Sequence, residues 1–334
     1  MSDSLSAVDL LVIGGTQFVG RAMVEEAVAL GHDVTVFHRG QSEPEDLPAV
    51  HHLHGDRDGD LSVLSGRTWD EVVDVCAYIP GQVRTLAAAL EPPGHYTLIS
   101  TLSVNDEALP PGANERSPLL APASPEVTEV TEENYGPLKV ACEIAAREEF
   151  PACLIIRPGY VVGPHDSTDR FTYWVRRAAA GGTMLAPGSP EEPMQFIDAR
   201  DLAAFTLARA TARDDEVYGA VRPEGEATTG SVLAAAIAVS GADTELVWVE
   251  ADYLLAALGD DAWSLLPMWH PQLPGTHRYD PSKAIAAGLS LRPLARTVAD
   301  IYAWDRGRAG VALKAGLASE REHELLEGWT GRRA

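Results

Sequence analysis

The sequence predicts an α/β protein built on a doubly wound parallel sheet, followed by a smaller C-terminal α/β lobe. In the first half of the chain, short β-branched runs alternate with longer amphipathic segments, which is typical of a parallel sheet covered by helices on both faces. The first run leads into a glycine-rich stretch at residues 14–20. Glycines between a first strand and a first helix indicate a dinucleotide-binding loop, and hence a sheet of the Rossmann type.

Each apolar run of the first half ends at glycine, proline or polar residues, as strands do. Six strands are predicted in this way, at residues 8–13, 33–37, 50–54, 71–76, 95–100 and 153–157. Helices are expected between them, at residues 18–30, at residues 82–90 and over a segment that ends near Phe150. Gly31 follows the first helix, at the position of a C-terminal cap.

The pattern changes after Gly163, where helical segments predominate. Helices are predicted at residues 170–180, 201–212, 228–240, 251–258, 297–304 and 319–329, with a short strand at 194–197. We therefore expect residues 7–165, with about 194–212, to form the dinucleotide-binding domain. Residues 166–193 and 213–330 form the predicted substrate-binding lobe.

The composition limits the partners and the location that we expect. The 334 residues carry a formal net charge of −23, and nucleic-acid binders need a basic surface, so no nucleic acid is expected. No apolar run approaches the length of a membrane span, and no basic segment precedes the first apolar run, so no membrane contact and no secretory signal are expected. Three cysteines without paired or metal-binding spacing indicate a reducing compartment. The predicted location is cytoplasmic.

Three histidines of the third predicted strand, His51, His52 and His54, resemble a metal-binding pattern. Side chains alternate between the two faces of a strand, so the three do not share one face. No carboxylate or cysteine stands nearby at a spacing typical of metal ligands. No metal site is therefore predicted.

The glycine-rich stretch has the features that a pyrophosphate requires. The backbone of such a loop turns sharply and comes close to the ligand, where side chains would collide. The amides that begin the following helix then face the negative charge. Gln17 stands where a glycine is usual, and the alternative is a tight turn without a ligand. The candidate cofactor-binding residues here are Gly14, Thr16, Gln17, Phe18, Val19 and Gly20.

The end of the second strand selects between the two nicotinamide dinucleotides. A carboxylate there binds the adenosine ribose of NAD, whereas an arginine attracts the 2′-phosphate of NADP. This chain has Arg39 and no acidic residue at that point. NADP is thus the preferred cofactor, and NAD stays an option if Arg39 is only a solvated charge. Asp56 and Arg57, after the third strand, are placed to contact the adenine.

Tyr135 and Lys139 are four residues apart on a predicted helix, so they share one face. A lysine ammonium beside a phenol favours the phenolate and lowers the phenol pKa. Such a phenol can exchange a proton during hydride transfer to or from a carbonyl. Thr101 and Ser103 follow the strand at 95–100, at the edge where parallel sheets bind ligands. A hydroxyl there can hold the substrate oxygen while Tyr135 exchanges the proton.

Together these motifs resemble those of the extended short-chain dehydrogenase/reductase superfamily, the NAD(P)-dependent epimerase/dehydratase group. The resemblance runs through residues 14–20, 56, 74–78, 100–101, 135–139, 157–164, 195–201 and 283–293. It implies that Thr101 positions the substrate oxygen, that Tyr135 is the catalytic acid and base, and that Lys139 holds the nicotinamide ribose and keeps Tyr135 acidic.

The same resemblance implies the remaining site residues and the assembly. Cys76, Ala77 and Tyr78 lie along the cofactor, Pro158 and Gly159 flank the nicotinamide, and Ser103, Asp166 and Arg170 fall where substrate contacts occur in such enzymes. It also implies a homodimer that forms through the two helices beside the catalytic tyrosine.

Two comparisons within the superfamily narrow the expected activity. Nucleotide-sugar dehydratases carry an Asp-Glu pair after the catalytic threonine, and Leu102 and Ser103 stand there in this chain, so dehydration is disfavoured. The Gly-Gly-Thr-x-Phe opening also resembles that of plastid RNA-binding relatives, a role against which the net charge of −23 argues.

The function predicted from the sequence is that of an NADP-preferring oxidoreductase acting at a carbinol or ketone carbon of a small molecule. Two alternatives stay open: a nucleotide-sugar epimerase that retains NAD, and a non-catalytic NADP-binding sensor or regulator. A nucleotide sugar needs a basic clamp for its diphosphate, and the candidates for that clamp are Arg176, Arg177, His277 and Arg278.

Overall fold

The computed structural model describes residues 7–273 and 275–333. Its strands are β1 (Asp9–Ile13), β2 (Asp33–His38), β3 (His51–His54), β4 (Glu71–Asp74), β5 (Tyr96–Ile99), β6 (Cys153–Pro158), β7 (Tyr160–Val162), β8 (Gly182–Pro187), β9 (Phe196–Asp198), β10 (Val217–Ala220) and β11 (Thr244–Val249).

Its α-helices are α1 (Phe18–Ala29), α2 (Pro80–Ala89), α3 (Glu132–Glu149), α4 (Arg170–Ala179), α5 (Ala199–Thr211), α6 (Thr229–Ser240), α7 (Ala251–Leu258), α8 (Ala262–Leu265), α9 (Ser282–Ala286), α10 (Leu294–Arg306) and α11 (Ser319–Arg333). A short 3₁₀ turn, Leu102–Val104, follows β5. Within the described part of the chain, no helix is both long and apolar enough to cross a bilayer.

The central sheet has seven strands in the order β10-β6-β5-β4-β1-β2-β3. Each neighbouring pair is parallel. This is the order of a doubly wound Rossmann sheet extended by one strand, and it gathers the carboxyl ends of the strands at one edge. The predicted α/β fold is confirmed, and so are the six predicted strands of this sheet.

Alternate residues of each strand divide the interior into two layers. Leu10 and Val12 of β1 pack in the layer that contains α1 and α5. Leu11 and Ile13 pack in the opposite layer, with α2 and α3. Because both faces of the sheet are covered, the strands are apolar throughout rather than alternating, as expected for buried parallel strands.

The lobe has a core of its own, built from α4, α6, α10 and the parallel pair β8–β11. The strands β7, β8, β10 and β11 were not anticipated from the sequence. The seventh sheet strand, β10, lies inside the range 213–330 that we assigned to the lobe, yet it pairs with β6. Residues 217–220 therefore lie in the sheet, and the rest of the domain division stays a prediction.

Candidate functional site

The glycine loop after β1 is closed so tightly that side chains do not fit. Gly14 has a φ of +87°, and a Cβ there would lie 2.7 Å from the Cys76 Sγ atom. A Cβ on Gly20 would overlap the Gly14 carbonyl oxygen. Glycine alone meets both demands, because it has no Cβ and tolerates positive φ.

The first turn of α1 leaves its backbone amides available to a ligand. Gln17 is the N-cap, its side chain is exposed, and it makes no capping hydrogen bond. Phe18 begins the helix at a φ of 37°, a conformation that costs a non-glycine residue about 1–3 kcal/mol. Thr16 is buried and Val19 half-buried beside it. An uncapped helix N-terminus beside glycines suits a pyrophosphate, so this loop fits a dinucleotide.

The end of β2 presents one free cation and one histidine network. Arg39 is exposed and makes no hydrogen bond or ion pair with the residues that the structure describes. The buried His38 accepts a hydrogen bond from the Gly40 amide on Nδ1 (3.1 Å), and its Nε2 lies 2.8 Å from His52 Nδ1. Since the Gly40 amide occupies the Nδ1 lone pair, neutral His38 carries its proton on Nε2 and donates it to His52.

These histidines also come within ligand distance of a carboxylate. His38, His52 and Glu43 offer atoms close enough together to hold a metal ion, a grouping that the sequence did not reveal because Glu43 lies in the loop after β2. A metal on His38 Nε2 would require a proton on Nδ1, which faces the Gly40 amide hydrogen. The group is therefore better explained as a hydrogen-bond network.

Arg57 has a different environment from the one expected for an adenine contact. Its guanidinium is inserted below the strand ends, where it donates to both carboxylate oxygens of Asp74 at 2.8 and 2.9 Å and contacts Cys76 Sγ at 3.2 Å. Asp74 is fully buried and also accepts from the Tyr96 hydroxyl. Burial raises the pKa of Asp74, but the charge and hydrogen bonds of Arg57 outweigh it and lower that pKa. Asp56, by contrast, is exposed.

Lys139 is held under the ends of β4 and β5. It is 2% exposed, and its Nζ donates to the carbonyl oxygens of Ala77 and Ile99, both at 2.8 Å. The ammonium lies 5.9 Å from the centre of the Tyr78 ring, which is 44% exposed. An ammonium has three donors, so one remains free for a ribose hydroxyl, and the predicted contact of Lys139 with the nicotinamide ribose stays a prediction.

Thr101 and Tyr135 meet at the end of β5. The Thr101 hydroxyl is close enough to Tyr135 to lower the phenol pKa. It accepts from the Ser103 amide at 3.1 Å and donates to the Ser103 hydroxyl at 3.2 Å. A Cβ on Gly136 would overlap the Ser103 carbonyl oxygen. The glycine after Tyr135 thus lets α3 rest directly on the 3₁₀ turn, which brings the phenol to the threonine.

The expected direction of the Tyr135 pKa was wrong. Burial, followed by the nearby Tyr78, raises the pKa of Tyr135 to about 12, while the Thr101 hydroxyl and the charge of Arg170 oppose this rise in part. Lys139 does not lower it because its ammonium is directed to the Ala77 and Ile99 carbonyls. Tyr135 is therefore a neutral phenol near pH 7.

The end of β6 closes the site from the other side. Pro158 is buried and pairs with Ala220 of β10. A Cβ on Gly159 would lie 2.8 Å from Val221 and 3.5 Å from Leu102. The absence of a side chain at residue 159 therefore brings the ends of β5, β6 and β10 together.

Arg170 extends from the lobe toward this edge. It is half-buried, donates to the Thr168 hydroxyl at 3.1 Å, and lies over the Tyr160 ring at 4.9 Å. The Tyr160 hydroxyl lies 2.8 Å from His270 Nε2. Asp166 is buried, accepts two bonds from Thr168, and has a pKa raised by burial. Tyr160 and His270 were not proposed from the sequence: Tyr160 lies inside a quoted motif, whereas nothing near His270 signals a site.

Comparison with solved structures shows which known fold the chain has. A UDP-glucuronic acid 4-epimerase from Bacillus cereus, solved with NAD, superposes with a TM-score of 0.65 and 16% identity over 91% of this chain and 98% of the epimerase. A human epimerase family protein, solved with NADPH, superposes with a TM-score of 0.62 and 20% identity over 88% and 99% of the two chains. The chain has the fold of the extended short-chain dehydrogenases/reductases. The resemblance drawn from the motifs is thereby confirmed for the fold.

Sequence comparison covers less of the chain than the structural comparison that shows the short-chain dehydrogenase/reductase (SDR) fold. The chain is 27% identical over 214 residues to the chloroplast stem-loop binding protein of 41 kDa b from Arabidopsis thaliana. The matched region covers 59% of this chain and 54% of that protein. The match therefore spans about half of the length of that relative. No family model matches the sequence.

Within the SDR fold, the predicted site residues separate into two groups. The glycine loop, residues 76–78, Thr101, Ser103, Tyr135, Lys139, Pro158 and Gly159 gather at the carboxyl edge of the sheet, and Arg170 approaches them from the lobe. Arg57 is committed to Asp74, Asp166 is committed to Thr168, and Asp56 stands exposed. The contacts that we predicted for this second group stay predictions.

Proposed function

We propose that the chain is an NAD(P)-dependent oxidoreductase that transfers a hydride at a carbinol or ketone carbon. The observation that carries the proposal is the meeting of Thr101 and Tyr135 at the end of β5, close enough for the threonine hydroxyl to act on the phenol pKa, with Lys139 one turn further along α3. A bound nicotinamide dinucleotide supplies or accepts the hydride. The chain's own residues bind the two reactants, hold the substrate oxygen and move one proton.

Each of the three residues has one task in this proposal. Thr101 holds the substrate oxygen through its hydroxyl. Tyr135 gives a proton to that oxygen as a carbonyl is reduced, and a phenol with a pKa of about 12 is in the protonated state that this step needs. Lys139 holds the ribose with its remaining donor, and the bonds to Ala77 and Ile99 fix its position.

The proposed cofactor is NADP in preference to NAD. Arg39 is the support for it, because it is an unpaired cation at the end of β2 and no carboxylate occupies its place. The neighbouring Gly40 amide is fixed by His38, which orders the turn that carries Arg39. The proposed site of action is the cytoplasm, and a homodimer through the two helices beside Tyr135 stays a prediction.

A nucleotide-sugar epimerase with retained NAD is the second candidate. It is favoured by the fold, since UDP-glucuronic acid 4-epimerase superposes on 91% of this chain. A non-catalytic NADP-binding sensor is the candidate from another class, and a Thr101–Tyr135 pair beside a buried lysine has no purpose in it. The name of the plant relative suggests RNA binding, but the net charge of −23 opposes that role here.

The substitution Tyr135→Phe tests the proposed chemistry. We expect NADPH affinity to stay within about threefold and turnover to fall by about 10²–10⁴-fold, the usual contribution of a positioned acid or base. Tyr302→Phe, on α10 outside the site, is the matched control and should leave turnover unchanged. Full turnover by Tyr135→Phe would refute the assigned role.

The pH dependence provides an independent readout of the same residue. Because the pKa of Tyr135 is raised to about 12, the phenol is protonated throughout the neutral range. Carbonyl reduction should therefore show no loss attributable to Tyr135 between pH 6 and about pH 9, whereas carbinol oxidation should rise steadily with pH. Steady-state rates in both directions, on wild type and Tyr302→Phe, measure this.

Cofactor choice is tested by titration of nicotinamide fluorescence. NADPH should bind more tightly than NADH, and Arg39→Ala should remove the difference, since one phosphate contact is lost. Protein purified with a tightly held, non-exchanging dinucleotide would instead favour the epimerase. Equal affinity of wild type for the two reduced dinucleotides would exclude the role of Arg39.

A further inference from the structure

Arg176 and Arg177, two of the candidates for a diphosphate clamp, are bound to carboxylates inside the lobe. Arg176 donates to both oxygens of Asp305 at 2.6 and 2.5 Å. Arg177 donates to Glu322 at 2.6 Å and to the Thr183 carbonyl. Both therefore join α4 to the C-terminal helices, and moving Arg177 to a ligand would leave the buried Glu322 carboxylate without its cation.

The other two clamp candidates are also unsuited to a diphosphate. His277 is 9% exposed, accepts from the Gln195 amide at 3.0 Å and has its Nε2 2.7 Å from the Met268 carbonyl, so it is a neutral, committed ring. Arg278 pairs with Glu224 at 3.4 Å, beside a surface hollow that is also lined by Asp280 and Pro281. A hollow with two carboxylates repels an anion.

Arg170 differs from all of these arginines. It forms no ion pair with the described residues, its contacts are a hydroxyl and an aromatic ring, and its charge reaches the Tyr135 phenol. The neighbouring Tyr160 and His270 are bonded to each other. Burial, followed by the proximity of His277 and Arg170, lowers the pKa of His270 to about 4, so this histidine adds no second charge near pH 7.

We infer that the substrate is a small hydroxy or oxo carboxylic acid whose carboxylate binds Arg170, and that it is not a nucleoside diphosphate sugar. This inference rests on the proposed function, since it names the substrate class of the same site. A single guanidinium matches one carboxylate through a planar, bidentate pair. Tyr160 holds the guanidinium from one side by its ring face, which leaves the edge of the fork for the ligand.

The geometry also accounts for the separation between the Arg170 charge and Tyr135, the proposed proton donor. Arg170 begins α4, whereas Tyr135 lies on α3, and the two are near enough for the cation to lower the phenol pKa without any contact between them. A compact acid can place its carboxylate at Arg170 and its carbonyl at Thr101. A diphosphate sugar would add two further charges, and the four candidates for its clamp are paired with carboxylates or, for His277, neutral.

The experiment uses pairs of oxo acids and their uncharged amides, together with UDP and UDP-glucose. Each compound is added to the full chain with NADPH, and both the thermal shift and NADPH consumption are recorded. We expect the acid of at least one pair to be preferred over its amide by about 10–100-fold in kcat/KM, the contribution of a hydrogen bond to a charged group. Arg170→Gln should abolish that preference through KM, and Arg170→Lys should restore part of it.

Arg306→Gln, at the exposed end of α10, is the matched control and should keep the preference. The inference is overturned if no pair shows a preference for the acid, if the preference survives in Arg170→Gln, or if UDP-glucose binds more tightly than every acid. Failure of the proposed function is distinct, because it appears as absent NADPH binding while the acid–amide difference in thermal shift is still measured.

Discussion

The sheet and the lobe use their buried charges differently. At the sheet edge, Arg57 and Asp74 are 17 residues apart, the carboxylate is fully buried, and the pair supports the strand ends where the dinucleotide is proposed to bind. In the lobe, the pairs Arg176–Asp305 and Arg177–Glu322 join residues 129 and 145 positions apart. Charge in the sheet thus shapes a site, whereas charge in the lobe ties distant helices together.

The difference matters for substrate choice. An arginine that joins helices is not available to a ligand, so the number of basic residues in a lobe says little about the charge of its substrate. Burial also separates the two regions, since Arg176 and Arg177 keep 25% and 18% of their side chains exposed whereas the Arg57 side chain is 11% exposed and Asp74 wholly covered. The pair in the sheet should therefore be the harder one to break.

The largest effect is expected from Arg57→Ala. It leaves the Asp74 carboxylate buried without its cation, which costs about 3–5 kcal/mol of unfolding free energy. Urea unfolding followed by tryptophan fluorescence measures the loss. Arg39→Ala is the matched control, because Arg39 is exposed and unpaired, and it should change stability by less than about 0.5 kcal/mol. Equal effects of the two substitutions would contradict the contrast drawn between the regions.

A glycine pair tests how closely α3 must approach the sheet edge. Gly136→Ala places a Cβ on the Ser103 carbonyl oxygen, and such overpacking costs about 1–3 kcal/mol and should separate Tyr135 from Thr101. Gly81→Ala is also helical, but nothing lies within 4 Å of its added Cβ, so it should be neutral or stabilise by up to about 1 kcal/mol. Thermal unfolding and turnover of both variants measure these effects. Similar behaviour of the two variants would exclude a tight approach of α3 to the Ser103 carbonyl.

The smallest effect is expected in the lobe, from Arg176→Met. Asp305 keeps a contact with Arg308 at 3.4 Å, and the lost pair is partly exposed, so the cost should be about 1 kcal/mol or less. NADPH affinity should not change, because the substitution lies outside the dinucleotide site. A loss as large as that of Arg57→Ala, measured in the same urea series, would remove the distinction between the regions.

The features that could be predicted from the sequence are those that local backbone sterics determine. The glycine loop, the six strands and the Tyr135–Lys139 spacing all follow from rules that act over a few residues, and the structure has them where they were expected. The Gly136 approach belongs to the same class, since a glycine after the tyrosine is visible in the sequence. These features could be predicted because each depends on backbone geometry that the neighbouring residues determine.

What the sequence did not reveal depends on contacts between distant residues. β10 is four residues long and contains Gly219, whose missing side chain makes room for the ring of Tyr279. The pKa of Tyr135 was expected to fall, and it rises because burial, followed by the nearby Tyr78, outweighs the groups that lower it. Lys139 donates to the carbonyls of Ala77 and Ile99 instead. The commitment of Arg176 and Arg177 likewise depends on helices that come more than 100 positions later.

The position of β10 has a consequence for how the chain is made. β6 emerges from the ribosome long before β10, and the whole of α4 and β8 is synthesised between them. During that interval β6 pairs with β5 on one side only, and its other side is an open sheet edge, a surface that pairs with other strands and promotes aggregation. Synthesis that pauses, or a chain that is truncated, before Ala220 leaves the sheet open at β6, so the sheet is completed only after α4 and β8 of the lobe have been made.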